Sequence, residues 1–322
     1  MPTRPEKDLI ECYAGRDLTV SEILGRSVNH EFPLSTFLRP GNIRRATRHP
    51  VLAGHVKAFF DRPPEQQRLA LVSVLREMDR YPVDVLRAIA NTPRHLLLPP
   101  ERSRLSYWNG PNICLGTIAI PAPWLIAYSL TRLRVRAGAN VLILGFGRGY
   151  MTLCASILVG AEGSVTAIEI DSSCVIRGRR LLGDLDVSNV RILHGDALNV
   201  DRRLGLYDSI WCSLASEELL PEWIELTKKG GRLGAFLPDR TASQMTGDAC
   251  AENDLLLAGH WWTKVSLNVF RREADLVWET RMPNLVNAPL LRRDDRLPFS
   301  VDCLYPGLLE DEVFISEFLD AT

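Results

Sequence analysis

Three glycines (Gly145, Gly147 and Gly149) and two acids (Glu169 and Asp196) are the residues of this 322-residue chain whose types and spacing could do chemistry. The turn Gly145-Phe146-Gly147-Arg148-Gly149-Tyr150 follows the apolar run Val141-Leu142-Ile143-Leu144 and precedes a helical segment over 151–159. A strand that runs into a glycine-rich turn and then a helix lets backbone approach a ligand closely, because the absent side chains remove the steric barrier. Glu169 closes a second strand candidate over 164–169, where a carboxylate can accept from both ribose hydroxyls of a nucleoside. Asp196, with Ala197 beside it, follows a third strand over 190–193 and can accept from an adenine amino group. This spacing points to a nucleoside-type cofactor at the ends of parallel strands. A phosphate-gripping loop would read GxGxxG or place a lysine before Ser or Thr, and GFGRGY does neither. That favours S-adenosylmethionine, whose sulfonium and amino-acid end carry no phosphate, with NAD second.

The elements that must position these residues come from the hydrophobic rhythm. From Val83 onward, short apolar runs alternate with helical segments, the pattern of a parallel sheet covered by helices. Tyr207-Asp208-Ser209-Ile210-Trp211-Cys212 is a fourth strand, and 231–237 a fifth after a turn at Lys229-Gly230. Before this block, residues 1–80 read as mainly helical, with Leu71, Val72, Leu75 and Met78 expected on one face. After it, 264–270 and 274–278 predict an antiparallel pair, and Leu308, Val313, Phe314 and Phe318 could share a face of a docking helix in an acidic tail. The expected divisions are 1–80, a helical extension; 81–240, the cofactor-binding domain; and 241–322, added strands and tail.

Composition narrows the partners. The chain holds 38 Lys and Arg against 39 Asp and Glu, with 46% hydrophobic residues, so it has no global pull toward nucleic acid or anionic lipid. Arg44, Arg45 and Arg48 are the one local basic cluster, read as a solvated face. No run reaches the ~20 apolar residues of a membrane helix, and the first residues lack the apolar stretch of a secretory signal, so the expected location is cytoplasmic. Seven dispersed cysteines without a CxxC pair read as reduced thiols and argue against zinc.

Residues from about 82 to 240 resemble the protein L-isoaspartate O-methyltransferases, S-adenosylmethionine-dependent carboxyl methyltransferases of Rossmann-like fold. The motifs that carry the resemblance occur in order: Val85-Leu86-Arg87-Ala88-Ile89, Thr92-Pro93-Arg94-His95-Leu96, Gly116-Thr117-Ile118-Ala119-Ile120-Pro121, GFGRGY, Glu169, His194-Gly195-Asp196, Tyr207-Asp208-Ser209-Ile210 and Lys228-Lys229-Gly230-Gly231-Arg232-Leu233. The resemblance implies that Gly145, Phe146, Gly147, Gly149, Glu169, Asp196 and Ala197 bind S-adenosylmethionine. It places the acceptor loop at Thr117 and Ala119, where the family's serine is replaced by alanine. The family's acid two residues before the turn is Ile143 here, and the small polar residue inside the turn is Arg148.

The expected fold is therefore α/β, a Rossmann-like methyltransferase fold with a helical N-terminal extension and added C-terminal strands. The expected activity is methyl transfer to a carboxylate of a peptide or peptide-like substrate, a specialised biosynthetic one included. A carboxylate is already an anion at neutral pH, so alignment rather than a general base would carry the reaction. His95 and His194 are accordingly read as packing and strand-end residues. Thr117, Asn109 and Asn112 are candidate donors in place of the missing serine hydroxyl. Two alternatives stand beside this reading: a cofactor-binding scaffold without turnover, and a small-molecule or RNA methyltransferase.

Overall fold

The computed structural model describes residues 47–48, 50–113, 119–216, 218–238, 255–257, 260–273, 276–281, 286–291 and 319. By contact these fall into two units: the described residues up to Ala127 with Leu319, and those from Tyr128 onward.

The first unit is built from helices α1 (Pro50–Phe60), α2 (Pro64–Met78) and α3 (Val83–Asn91), followed by two short 3-10 turns and a two-stranded ladder. Proline opens α2, where its missing N–H costs nothing. The helix buries Gln67, Ala70, Leu71, Val74 and Leu75, spaced at three and four residues, against a core that includes Val56, Phe59 and Phe60. The expected face was thus off by part of a turn: Val74 is fully buried, whereas Val72 and Met78 are half-buried. Gln67 secures the connection between α1 and α2 by donating Nε2 to the carbonyls of Phe60 (3.1 Å) and Arg62 (2.7 Å). In α3, Val85, Leu86, Ala88 and Ile89 form the buried stripe. Strands β1 (Asn112–Ile113) and β2 (Ala119–Ile120) pair antiparallel, and α4 (Pro123–Arg132) follows.

Among the described residues, the second unit holds a sheet of nine strands. Its centre is β3 (Asn140–Leu144), β4 (Ser164–Glu169), β5 (Val190–His194), β6 (Tyr207–Ser216) and β7 (Thr227–Pro238), all parallel, in the order β5-β4-β3-β6-β7. Val141, Leu142, Ile143 and Leu144 are fully buried, as expected of a central parallel strand covered on both faces. The crossover helices are α5 (Tyr150–Val159), α6 (Ser172–Asp184) and the short α7 (Pro221–Leu226). Asp171 caps α6, accepting from the N–H of Ser173 at 2.7 Å and of Cys174 at 3.4 Å; these bonds, the Ser173 contact foremost, hold its carboxyl below the usual range. The chain lays β4 and β5 outward from β3 and then returns to place β6 on the other side. The order of strands therefore reverses between β3 and β6, the position where open α/β sheets take ligands.

Beyond β7 the sheet continues with antiparallel strands. β9 (His260–Arg272) pairs with β7 through Val265–Arg271 and with β10 (Leu276–Arg281), which extends the expected antiparallel pair. Two shorter strands complete the sheet: β8 (Leu255–Leu257) joins β9, and β11 (Val286–Leu291) bridges β9 and the end of β6 at Ala215 and Ser216. The turn expected at Lys229-Gly230 occurs as an irregularity within β7, where Tyr207 faces Thr227 but Ser209 already faces Arg232, and Gly230 adopts a positive φ of 78°.

At the opposite, N-terminal end of the strands, Asp208 Oδ2 accepts from the Asn140 N–H and from Lys228 Nζ, both at 2.8 Å, and so ties β3, β6 and β7 together. Burial alone would raise the Asp208 pKa, but the Lys228 and Asn140 bonds and the charges of Lys228 and Arg136 outweigh it and hold the carboxyl low. A carboxyl depressed in the folded state stabilises at neutral pH and loses that contribution as pH falls below the unfolded value and through the folded one. Asp208→Asn is expected to lower unfolding free energy at pH 7 by about 1 kcal/mol, a partly exposed pair being discounted for solvent screening. The gap should narrow toward about pH 3. Urea titrations of both proteins at the two pH values check this, and a gap independent of pH would contradict it.

The expected tail helix lies outside the described residues except for Leu319, which is buried and whose carbonyl accepts from Arg104 at 3.3 Å. Arg44 and Arg45 also lie outside them, while Arg48 is exposed. Cys154, Cys174 and Cys212 are buried and not in disulfides, and burial pushes the Cys212 pKa up to about 12. Among the described residues no helix is long and apolar enough to cross a membrane.

Candidate active site

The glycine turn forms because three of its residues take backbone conformations that side chains disfavour: φ is +91° at Gly145, +56° at Gly147 and +93° at Gly149. Space reinforces the choice at two of them. A Cβ on Gly145 would lie 2.0 Å from Ser213 Oγ, and one on Gly149 would lie 2.7 Å from the Phe146 ring. That ring is buried and packs also against Gly178 of α6, so Phe146 acts as a floor under the turn.

Hydrogen bonds draw the three strand ends into one place. The N–H groups of Gly145 (2.9 Å) and Phe146 (3.1 Å) donate to the Ile168 carbonyl. Gly147 N–H donates to Glu169 Oε2 at 2.7 Å, and the Asp171 N–H donates to Oε1 at 3.0 Å. Gly195 N–H donates to the Glu169 carbonyl at 3.0 Å, which brings the start of the Asp196 loop to the same acid. Within that loop Asp196 Oδ1 accepts from the Leu198 N–H at 2.8 Å. Ala197 is buried, and its carbonyl accepts from the fully buried Trp223 indole N–H at 2.8 Å. The glycines, Glu169, Asp196 and Ala197 expected from sequence thus converge at the C-terminal ends of β3, β4 and β5.

The chemistry of this donor and acceptor set fits S-adenosylmethionine better than a dinucleotide. The N–H groups of Gly145, Phe146, Gly147 and Gly149 all have protein acceptors, the carboxylate of Glu169 among them, so the turn does not present them as a phosphate cradle. Glu169 is only 8% exposed, yet each of its oxygens uses one N–H and keeps a lone pair that a ribose hydroxyl could use. Asp196 Oδ2 is an acceptor that an adenine amino group could use.

Thr117 lies outside the described residues; Ala119 is in β2, opposite Ile113. The two asparagines considered as substitute donors are committed to the framework. Asn109 is buried, accepts from the Trp124 N–H at 3.0 Å and donates to Met78 Sδ, and the fully buried Asn112 donates to the Leu105 carbonyl at 3.2 Å. Arg94, the arginine of the PRHL segment, is fully buried and donates to the carbonyls of Ser106, Gly110 (3.1 Å) and Pro121 (3.0 Å). His95 Nδ1 lies 2.7 Å from the hydroxyl of buried Tyr107. Burial and then the Arg68 charge lower the His95 pKa, while burial raises that of Tyr107, so both groups are neutral near pH 7. Trp108, like Tyr107, is core. His194 Nε2 is 3.0 Å from the Ile170 carbonyl at the strand end, and Arg148 is half-buried in the turn.

Sequence reasoning passed over Ser213. It lies one residue beyond the Leu144–Cys212 pairing of β3 and β6, opposite Gly145, and its Oγ is 2.7 Å from the Leu144 carbonyl and 3.0 Å from that of Gly145. The available signal was its place after Tyr207-Asp208-Ser209-Ile210-Trp211-Cys212, at the end of the strand beside the glycine turn.

Comparison with known proteins agrees with this geometry. The protein-L-isoaspartate O-methyltransferase of Gloeobacter violaceus is 32% identical over 160 residues, covering 50% of this chain and 77% of that protein. The one from Idiomarina loihiensis is 26% identical over 211 residues, 66% of this chain and 88% of that protein. A solved protein-L-isoaspartate O-methyltransferase superposes with a TM-score of 0.53 at 19% identity, covering 67% of this chain and 64% of that one. A Plasmodium falciparum structure of the same description, in complex with S-adenosyl-L-homocysteine, gives 0.52 at 18% identity, covering 75% and 99%. These likenesses establish the Rossmann-like fold. Residues 66–257, more than half of the sequence, match the family model of protein-L-isoaspartate(D-aspartate) O-methyltransferase, and the chain belongs to that family.

Proposed function

We propose that this protein transfers a methyl group from S-adenosylmethionine to a carboxylate oxygen of a peptide or protein. The observation that carries the reading is the convergence of Gly147, Glu169 and Gly195 through direct hydrogen bonds at the sheet's C-terminal end, in a chain of this family. When bound, S-adenosylmethionine supplies an electrophilic methyl on its sulfonium. Glu169 would hold the ribose, Asp196 the adenine amino group, and the turn of Gly145, Gly147 and Gly149 would let the ligand lie close to backbone. Phe146 and Ala197, both buried, would support that surface.

The acceptor oxygen is an anion at neutral pH, so the chain need only orient it and exclude water. His95 and His194, each engaged with a neighbouring group, fit a site without a general base. Thr117 and the backbone around Ala119 would meet the acceptor. With no hydroxyl at position 119, a specialised peptide acceptor fits better than general repair of isoaspartyl damage. A cytoplasmic setting, with no membrane or nucleic-acid partner, matches the balanced charge.

The decisive assay offers labelled S-adenosylmethionine with isoaspartyl peptide, ordinary peptide and no peptide, followed by base. Label transferred to peptide and released by base as a methyl ester is the expected result. Base-stable label would move the acceptor to nitrogen or carbon, and cofactor binding without transfer to any peptide would mark a fold that has lost turnover.

A further inference from the structure

Among the described residues, strand β5 ends the sheet, with β4 as its one neighbour. The N–H of Val165 donates to the Asn189 carbonyl and the N–H of Gly195 to that of Glu169, so alternate residues of this stretch turn their backbone toward β4. Val190, Ile192 and His194 turn theirs outward. The Ile192 carbonyl is covered by the guanidinium of Arg179 on α6, which donates from Nη2 at 2.8 Å and from Nε at 3.3 Å. Between α6 and this edge runs an open groove of about 510 Å³, walled by Leu182 and Gly183 on the helix and by Val190, Ile192 and Leu193 on the strand.

Successive side chains of a strand point to opposite faces of the sheet. Ile192 packs on the α6 face, beside Gly178, so Arg191 leaves from the other face while Arg179 stands over the edge from α6. Each face thus brings one guanidinium to the groove. Arg191 is exposed and has no ion-pair partner among the described residues. The neighbouring acids do not cancel this charge: Arg177, Arg179, Arg180 and Arg191 stand against Asp184 and Asp186, and Asp184 already pairs with Arg180 at 3.8 Å.

Resting on the function proposed above for the identity of the peptide, we propose that this edge groove docks an extended acidic segment of the peptide substrate, a segment separate from the carboxylate that is methylated. A strand laid along β5 pairs its backbone with Val190 and His194, and two consecutive acids in it point to opposite faces, one to Arg179 and one to Arg191. Apolar neighbours of that acidic pair lie against Leu182 and against Ile176, which is 70% exposed on the helical face that carries Gly183. Arg179 also guards the edge, as unpaired strands require. An acid uses the free N–H groups of its guanidinium and leaves the bond to Ile192 in place. A second copy of the chain fits poorly, because a two-fold along β5 would bring these arginines against their own counterparts.

The test uses a short fluorescein-labelled peptide of alternating valine and threonine with a central Asp-Glu pair, and the same peptide with Lys-Lys in place of the pair. Anisotropy on the full chain should show binding of the acidic peptide that weakens with added salt, and much weaker binding of the basic one. Arg191→Glu should weaken the acidic peptide about tenfold. Gly183→Met should weaken it as well, because a side chain at position 183 meets open space and fills the groove without straining the helix. Both variants should keep the parent's affinity for S-adenosyl-L-homocysteine. Joining the Asp-Glu stretch to an isoaspartyl peptide should lower KM in the parent but not in Arg191→Glu, with kcat unchanged in both. Equal binding of the two labelled peptides, or acidic-peptide binding that neither variant weakens, would overturn the proposal. A dimer dissolved by Gly183→Met would overturn it in favour of a second copy. Acidic-peptide binding in a chain that does not bind S-adenosyl-L-homocysteine would leave the groove standing and overturn the methyl-transfer reading instead.

Discussion

Arg94→Ala is expected to destabilise the protein by about 3–5 kcal/mol, a large share of the roughly 5–15 kcal/mol that holds a folded domain together. The guanidinium is wholly buried, and it satisfies carbonyls from three separate stretches of chain, at Ser106, Gly110 and Pro121. Alanine would leave those oxygens without their donor and open a cavity the size of the lost side chain, and the two penalties act together. On the function proposed above the consequence would reach the acceptor, because Gly110 and Pro121 flank residues 114–118 in sequence, which include Thr117. Arg94→Lys, with three donors on a flexible stem in place of a planar fork, keeps the charge but cannot span all three carbonyls. It should fold with lower stability and show a raised KM for peptide, while its affinity for S-adenosyl-L-homocysteine stays near that of the parent, since Glu169, Asp196 and the glycine turn belong to the other unit. Urea unfolding with calorimetry on the lysine variant measures both effects. A fully stable alanine variant would mean that the carbonyls find other donors and that Arg94 is dispensable.

Arg94 also illustrates what could be read from sequence and what could not. The parallel strands were legible because each is a short apolar run ended by a turn residue, and burial on both faces demands that composition. Val141-Leu142-Ile143-Leu144 is the clearest case, and the acids and glycines at the strand ends followed from where each run stops. The helical face of α2 was less legible, since Val72 and Val74 are equally apolar and only packing decides which points inward. The strands β8 and β11 were missed because pairing depends on partners remote in sequence. β11 meets β6 only at Ala215 and Ser216, and nothing local marks that contact.

The roles of polar residues divided along the same line. Glu169 was legible as an acid at a strand end, but its grip on the Gly147 N–H was not, because the turn's shape places that donor. Asn109 and Asn112 looked like available donors; their burial removes them from that role, and a single sequence carries no burial signal for an asparagine beside a proline-containing loop. Ser213 escaped notice for the opposite reason. A serine after an apolar strand is ordinary, and it gains meaning only from lying opposite Gly145 across the β3–β6 boundary.

Glu169→Ala is expected to weaken S-adenosyl-L-homocysteine binding by about 1–3 kcal/mol, roughly 5- to 150-fold, because hydrogen bonds to an ionised acceptor would be lost in a buried setting. The carboxylate also braces the protein through the N–H groups of Gly147 and Asp171, so weaker binding alone could reflect a loosened turn. A ligand without the ribose 2′-hydroxyl separates these causes. If Glu169 accepts from that hydroxyl, removing it should cost the parent protein affinity and cost Glu169→Ala nothing further, the non-additivity expected of two groups in contact. If the acid only braces the turn, the two losses should add. Glu169→Gln sharpens the distinction, since its amide keeps one acceptor but must present N–H to a second backbone N–H, and it should fall between parent and alanine in both stability and affinity. Calorimetry on folded proteins decides the matter, and an alanine variant that binds as the parent does would remove Glu169 from the site and leave the glycine turn without its ribose partner.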